Sequence, residues 1–177
     1  MKLFKTGYCI LITIIFIAHT NAQNVQWAHK GTSQGYEYGN SIATDDSGNV
    51  YITGQIEYTT QFDNGQNIKS RGSHDIFVAK YAPDGTLIWV QSAGGVGGDV
   101  GYGIAVDAMH KCYVTGEMEK VCYFSPTDSL TSNGGNDIFI SKYDSNGQFL
   151  WAKSFGSTES DKGYSLITNS NGDVFLT

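Results

Sequence analysis

The sequence predicts an all-β protein made of repeated four-stranded sheets, and three observations carry that expectation. The stretch DIFVAKYAPDGTLIW, Asp75 to Trp89, returns as DIFISKYDSNGQFLW, Asp137 to Trp151. Trp27, Trp89 and Trp151 are the only tryptophans, and both intervals, 89 − 27 and 151 − 89, equal 62 residues. The composition, with 22 Gly, 11 Tyr and 9 Phe against 2 Pro, suits short strands joined by tight turns. Self-similarity at a fixed period is the mark of a repeat architecture.

The first element is a leader. MKLFKTGYCILITIIFIAHTNAQN combines two lysines, an apolar run from Tyr8 to Ala18 and a small, polar end at Ala22. That is the layout of a secretory signal peptide over residues 1–22, and its apolar run is shorter than the roughly 20 residues that span a bilayer. Cys9 lacks the small preceding residues of a lipid-modified cysteine. The mature chain, 23–177, is expected to be secreted or at the cell surface, with no membrane span after leader removal. Loss of Lys2 and Lys5 moves the formal charge from −6 to −8. Nucleic acid is a poor partner for a chain without clustered Lys and Arg.

The repeated elements follow. In the first unit YGNSIATD, 38–45, reads as a strand of small residues, and DSGN turns the chain into VYITG, 50–54. A longer connection carrying Phe62 and Ile68 leads to DIFVAKY, 75–81, and APDG turns into TLIWVQS, 86–92. Asp, Asn and Gly tolerate the backbone conformations of short hairpin loops. Both odd and even positions of IFVA are apolar, so this strand is expected to be buried on both faces, between two neighbouring sheets. Small residues in the first strand suit crowding around a common axis. Four-stranded sheets stacked radially make a β-propeller. A β-solenoid is the alternative, but its coils are usually much shorter. Known blades run about 40 to 50 residues, which places the surplus here between Gly54 and Asp75.

The same interval relates Gly39, Gly101 and Gly163; Ile42, Ile104 and Leu166; Tyr51, Tyr113 and Phe175; and Thr53, Thr115 and Thr177. Residues 23–177 thus read as an incomplete propeller of about two blades plus the start of a third. The chain is expected to be truncated at GDVFLT, where the earlier units continue with Gly54 and Gly116. Trp27, Trp89, Trp151, Asp75, Asp137, Phe77, Phe139, Gly85 and Gly147 are the expected structural core of the repeat.

GNVYITG, followed by SHDIFVAKYAPDGTLIWVQSAGG and DVGYGIAVD, resembles the SBBP-type β-propeller repeat of exported bacterial proteins. The resemblance covers nearly the whole mature chain. The second unit departs from the pattern at AMHKCYVTG, where Met109, His110, Lys111 and Cys112 replace the usual turn residues. What the resemblance implies is a propeller blade in a secreted or surface protein, with no defined reaction attached.

No residue set in the sequence demands catalysis, a cofactor or a metal. Asp75 and Asp137 could serve acid/base chemistry, but they recur in each unit, which favours a turn cap accepting backbone N–H groups. Lys80 and Lys142 recur likewise, and their stems can lie between sheets while the amines reach out. TDDSGN, YDSNGQ and NSNGD carry oxygen ligands but miss the calcium-loop spacing, and hairpin turns use the same residues. The four histidines show no ligand spacing for zinc. SAGGVGGDVGYG lacks the Lys-Ser/Thr ending of a phosphate loop, and no G-x-S-x-G is present.

Two functions remain. The first is a non-catalytic scaffold or binding module for a protein or carbohydrate ligand, working alongside further blades of the same parent chain. The second is a fragment of an exported enzyme acting on polysaccharide. Cys112 and Cys122, the only cysteines beyond the leader, are expected to form a disulfide if CYVTG and KVCYF make a hairpin centred near Glu117.

Overall fold

The computed structural model describes residues 27–28, 31–62, 64–169 and 171–177. The expected leader, 1–22, lies outside the described residues. The strands are β1 (Glu37–Thr44), β2 (Val50–Ile56), β3 (Thr59–Gln61), β4 (Asn67–Lys69), β5 (Asp75–Tyr81), β6 (Leu87–Gly95), β7 (Val100–Val106), β8 (Cys112–Tyr123), β9 (Ser129–Tyr143), β10 (Phe149–Phe155), β11 (Leu166–Thr168) and β12 (Val174–Leu176). No helix and no closed sheet occurs among the described residues.

Strands β1, β2, β5 and β6 form an antiparallel meander, and β7, β8, β9 and β10 form a second. Their registers correspond at the sequence interval: Val50 faces Tyr81 as Cys112 faces Tyr143, and Thr53 faces Val78 as Thr115 faces Ile140. β11 and β12 pair antiparallel as the opening of a third unit. The long connection is a hairpin in both units. In the first it is the separate β3–β4 pair, where Thr59 faces Lys69; in the second it prolongs β8 and β9, where Val121 faces Thr131. Tyr58 and Lys120 mark the same bend, with φ of 58° and 61°, and their amides donate to Ser70 Oγ and Ser132 Oγ.

This continuity overturns the expected hairpin about Glu117. Cys112 and Cys122 lie at opposite ends of β8 and are both buried free thiols. Ten residues of strand span roughly 33 Å, whereas a disulfide needs its Cα atoms within about 7 Å. The segment EMEK carries no Gly, Asn or Pro to reverse the chain, and Lys120 bends it without turning it back.

Every residue of β5 is buried, and its alternation feeds two cores. Phe77, Ala79 and Tyr81 face one side with Ile56, Phe62, Leu87 and Val90, and Trp27 packs at its margin. Ile76 and Val78 face the other with Tyr51, Trp89 and Ala93, and meet Ile104, Val114, Met118, Phe139 and Tyr143 of the second meander. A third core joins Tyr113 and Ile140 to Leu166, with Trp151 and Leu176 packed against it. Side chains from facing sheets thus interlock at each unit boundary. At the outer rim Gly94 and Gly95 of β6 pair with Tyr123 and Cys122, and Thr32 makes the corresponding bridge to Gln61.

Candidate binding site

The polar groups that recur are engaged in holding turns. The Asp45 carboxylate accepts hydrogen bonds from the Ser47 and Asn49 amides and from the Tyr51 hydroxyl. Asp107 does the same with Met109, Lys111 and Tyr113. In the third unit Asn169 takes the part, accepting from Asn171 and Asp173. Burial would raise the Asp45 carboxyl, but hydrogen bonds from Asn49, His110 and Tyr51 outweigh it and hold the group at about 2. Lys80 and Lys142 do not reach into solvent. Each ammonium lies over a tyrosine ring, 4.9 Å from Tyr51 and 4.4 Å from Tyr113, with Asp45 or Asp107 at 3.9 or 3.8 Å.

Asp75 and Asp137 are fully buried at the start of β5 and β9. One oxygen of each accepts a backbone amide, from Arg71 or Asn133; the other, Oδ1, has no hydrogen-bond partner. A Cβ on Gly94 or Gly156 would come within 2.2 or 2.4 Å of these carboxyl groups, so each acid rests directly on a glycine backbone. Asp99, which accepts the Gly95 and Glu119 amides, is pushed up to about 7 by burial. Asp161 caps Ser157 in the matching way. These acids stand where a backbone needs an acceptor.

The remaining core residues are placed as follows. Trp89 and Trp27 donate their indole N–H groups to the carbonyls of Ser145 and Pro83, at 3.1 and 3.0 Å. Trp151 stacks edge-on to Tyr113. Phe77 and Phe139 pair with Phe62 and Phe124. Gly85 and Gly147 adopt φ of 87° and 82° in the β5–β6 and β9–β10 turns.

Three features do not recur. Glu117, 5% exposed, accepts from Tyr102, Asn136 and Lys162 at 2.6, 2.8 and 3.2 Å, a network in which three donors converge on one buried carboxylate. His110 takes the position held by Gly48 and Gly172 in the other units and keeps the same turn at φ 60°. Its Nδ1 meets Asp45 at 2.9 Å and its Nε2 meets Asp46 at 3.3 Å, which straps the second unit to the first. Asp45, Asp46 and His110 are the described trio whose atoms lie near enough to share a metal ion. Asp45 is already saturated by its own turn, so the geometry is that of a strap rather than an open coordination shell.

The third feature is a cleft of about 760 Å³ at the rim of the first unit, between the 32–34 segment, the Tyr58 bend and the 69–72 segment. Lys69 and Arg71 line it, and Tyr58 is 62% exposed there. Sequence reasoning missed these residues because they fall in the connection that the repeat leaves unconstrained. The available signal was Arg71, the single arginine of the chain.

Strands of this pattern define a repeat protein of the all-β class. Residues 31–56, the lead-in to β1 together with β1 and β2, match the SBBP family, a beta-propeller repeat. The chain is 28% identical over 183 residues to the uncharacterized WD repeat-containing protein L264 of Acanthamoeba polyphaga mimivirus, a match covering 83% of this chain and 13% of that one. It is 27% identical over 141 residues to the regulatory protein FlaEY of Caulobacter vibrioides, covering 75% and 14%. The chain therefore spans about one seventh of the length of these relatives. A protein of unknown function from Bacteroides caccae, known from a crystal structure, aligns over 81% of this chain and 54% of its own at 12% identity, with a TM-score of 0.30. That score is too low to define a shared fold.

Proposed function

We propose that this chain is a non-catalytic repeat module, secreted or displayed at the cell surface, that serves as a scaffold or binding platform alongside further blades of its parent protein. One observation carries the reading: the recurring carboxylates are each used to hold a turn or a strand end. A catalytic acid or base must be free to exchange a proton with a substrate, whereas these caps are buried and bonded to backbone amides.

Docking of further blades is supported by the face that β1 and β2 present. Ile104 and Leu166 are 6% and 5% exposed, but Ile42 at the matching position is 65% exposed. Beside it a cavity of about 450 Å³ is lined by Trp27, Ile52, Ile56, Phe62, Phe77 and Tyr81. The counterparts of Ile52, Phe77 and Tyr81 in the second unit, Val114, Phe139 and Tyr143, are covered by the first unit. Trp27 and Thr32 make the contacts that Trp89 and Gly94 make at the next boundary, which supports reading them as part of a preceding blade.

Export is tested by N-terminal sequencing of the secreted fraction, with Gln23 the expected first residue. The module reading is tested on a glycan array, with product analysis by mass spectrometry. Binding without turnover is the expected result. New reducing or unsaturated ends would replace the module by the polysaccharide-degrading alternative.

A further inference from the structure

We propose that the rim cleft bounded by Tyr58, Lys69 and Arg71 binds an acidic saccharide, with a uronate carboxylate on the two cations and a sugar ring against Tyr58. The inference rests on the binding-platform reading and names its ligand class. Lys80, Lys120, Lys142 and Lys162 each have a carboxylate within ion-pair distance. Lys69 and Arg71, like Lys111 and Lys153, form no ion pair among the described residues, and the first two line one cleft together, although the chain as a whole is acidic. The acids at this end of the unit are occupied elsewhere: Glu37 by Ser33 and Thr60, Glu57 by the Tyr36 amide. Two cations without an ion-pair partner on one concave wall present a carboxylate with two sets of charged N–H donors.

Arg71 is also held in place. Its Nη1 donates to the carbonyls of Gly94 and Tyr123, both at 3.2 Å, and its plane lies over the Tyr123 ring at 5.7 Å. These bonds use two of the five guanidinium donors and leave Nε and Nη2 for a ligand. A fork fixed in advance suits bidentate capture of a carboxylate, because little rotamer freedom is lost on binding. Around it stand Thr32 and Thr59, whose hydroxyls match the polyol character of a sugar. Tyr58 adds an exposed ring with an apolar face and a polar tip. The cleft volume falls within the range of small-ligand sites, about 300 to 1,000 Å³.

The second unit lacks this combination. The residues matching Tyr58, Lys69 and Arg71 are Lys120, Thr131 and Asn133, and Lys120 is paired with Glu119. The recurring residues serve the fold, whereas these three depart from the repeat at one place. A phosphorylated peptide would use the cations but leave the hydroxyl-lined wall without a partner.

The test is calorimetric titration of the mature chain with trigalacturonate, with maltotriose as the neutral probe and a phosphotyrosine peptide as the competing anion. Trigalacturonate is expected to bind and to weaken several-fold on raising the salt from about 20 to 200 mM. Tyr58→Asn removes the ring while keeping a residue that tolerates positive φ, and should weaken binding about tenfold. Lys69→Gln should weaken it several-fold, and Lys120→Gln should leave it unchanged. Each variant is first checked for an unaltered melting curve. No binding of trigalacturonate, equal binding of maltotriose, preference for the phosphopeptide, or indifference to both Tyr58→Asn and Lys69→Gln would each overturn the assignment. Cleavage of bound trigalacturonate would instead sink the non-catalytic reading and leave the site in place.

Discussion

Replacing Gly147 by alanine tests how tightly one unit is keyed into the next. Gly147 has φ 82°, and a Cβ there would lie 2.6, 2.9 and 3.0 Å from Cδ2, Cγ and Cε3 of Trp89. The left-handed conformation costs an alanine about 1 to 2 kcal/mol. The overlap adds roughly 1 to 3 kcal/mol, because Trp89 is 6% exposed and its indole is bonded to the Ser145 carbonyl in the same turn. Retreat of the ring would break that bond. Gly48→Ala supplies the control: φ is 78°, but the nearest contact is Pro83 Cγ at an ordinary 3.4 Å, and the second unit already carries His110 at that position. Only the same conformational cost of about 1 to 2 kcal/mol applies there, without the overlap. At roughly 2 to 4 °C per kcal/mol for a chain of this size, Gly147→Ala should lower Tm by about 4 to 20 °C and Gly48→Ala by about 2 to 8 °C. Thermal melts followed by tryptophan fluorescence read both. Equal shifts for the two variants would show that the Trp89 contact does not constrain the boundary.

Asp99, raised to about 7 in the folded chain against about 4 when unfolded, holds its proton more firmly in the native state. Its contribution is therefore full below pH 4 and lost as pH rises to 7, up to about 4 kcal/mol; Asp99→Asn should flatten this decline in urea unfolding at pH 5 and pH 8. Asp45, depressed to about 2, acts in a separate window, losing its contribution as pH falls through about 4 to 2. Glu117→Ala leaves Lys162, Tyr102 and Asn136 without their acceptor and should cost about 2 to 4 kcal/mol in the same assay; a loss under 0.5 kcal/mol would refute the shared network. Cys112 is pushed up to about 12 by burial, and Cys122 is likewise raised. The native mature protein should show no thiol reactive to Ellman's reagent and two after denaturation without reductant. Finding none in the denatured state would restore a bridge.

The meander was legible because each unit writes it in local signals. Asp-Ser-Gly-Asn and Pro-Asp-Gly sit at hairpin turns, and the unbroken apolar run of β5 announced burial on two faces, which the separate packing of Phe77 and Val78 bears out. The β3–β4 pair and the long arms of β8 and β9 were not legible, because they bend at Tyr58 and Lys120, residues with no intrinsic preference for positive φ. The cysteine expectation failed for the same reason, since a bend was mistaken for a reversal. Lys80 read as a snorkelling side chain because no local pattern reveals that Tyr51 and Asp45 converge on its ammonium. His110 could not be assigned from sequence, its partners Asp45 and Asp46 lying in another unit. The rim cleft depends on a loop and a lead-in segment brought together only by the sheet beneath them.

Several side-chain bonds that join the first unit to the second, apart from the His110 strap, share a direction. Asn40 donates to the Gly101 carbonyl, Tyr51 to His110, Arg71 to Tyr123, and Lys80 and Trp89 both to Ser145. In each case a side chain reads a backbone oxygen. The sequence demand therefore falls on the donor alone, and the acceptor needs only to have its chain pass through the right point. That is why Pro83 and Ser145, unlike in every chemical respect, receive Trp27 and Trp89 equally well. Such a seam leaves the receiving turns free to vary in composition while forbidding a change in their length. A lineage of these units can therefore diversify its exposed loops by substitution without losing the fit between neighbours, and a single inserted residue in an accepting turn would do more harm than many replacements.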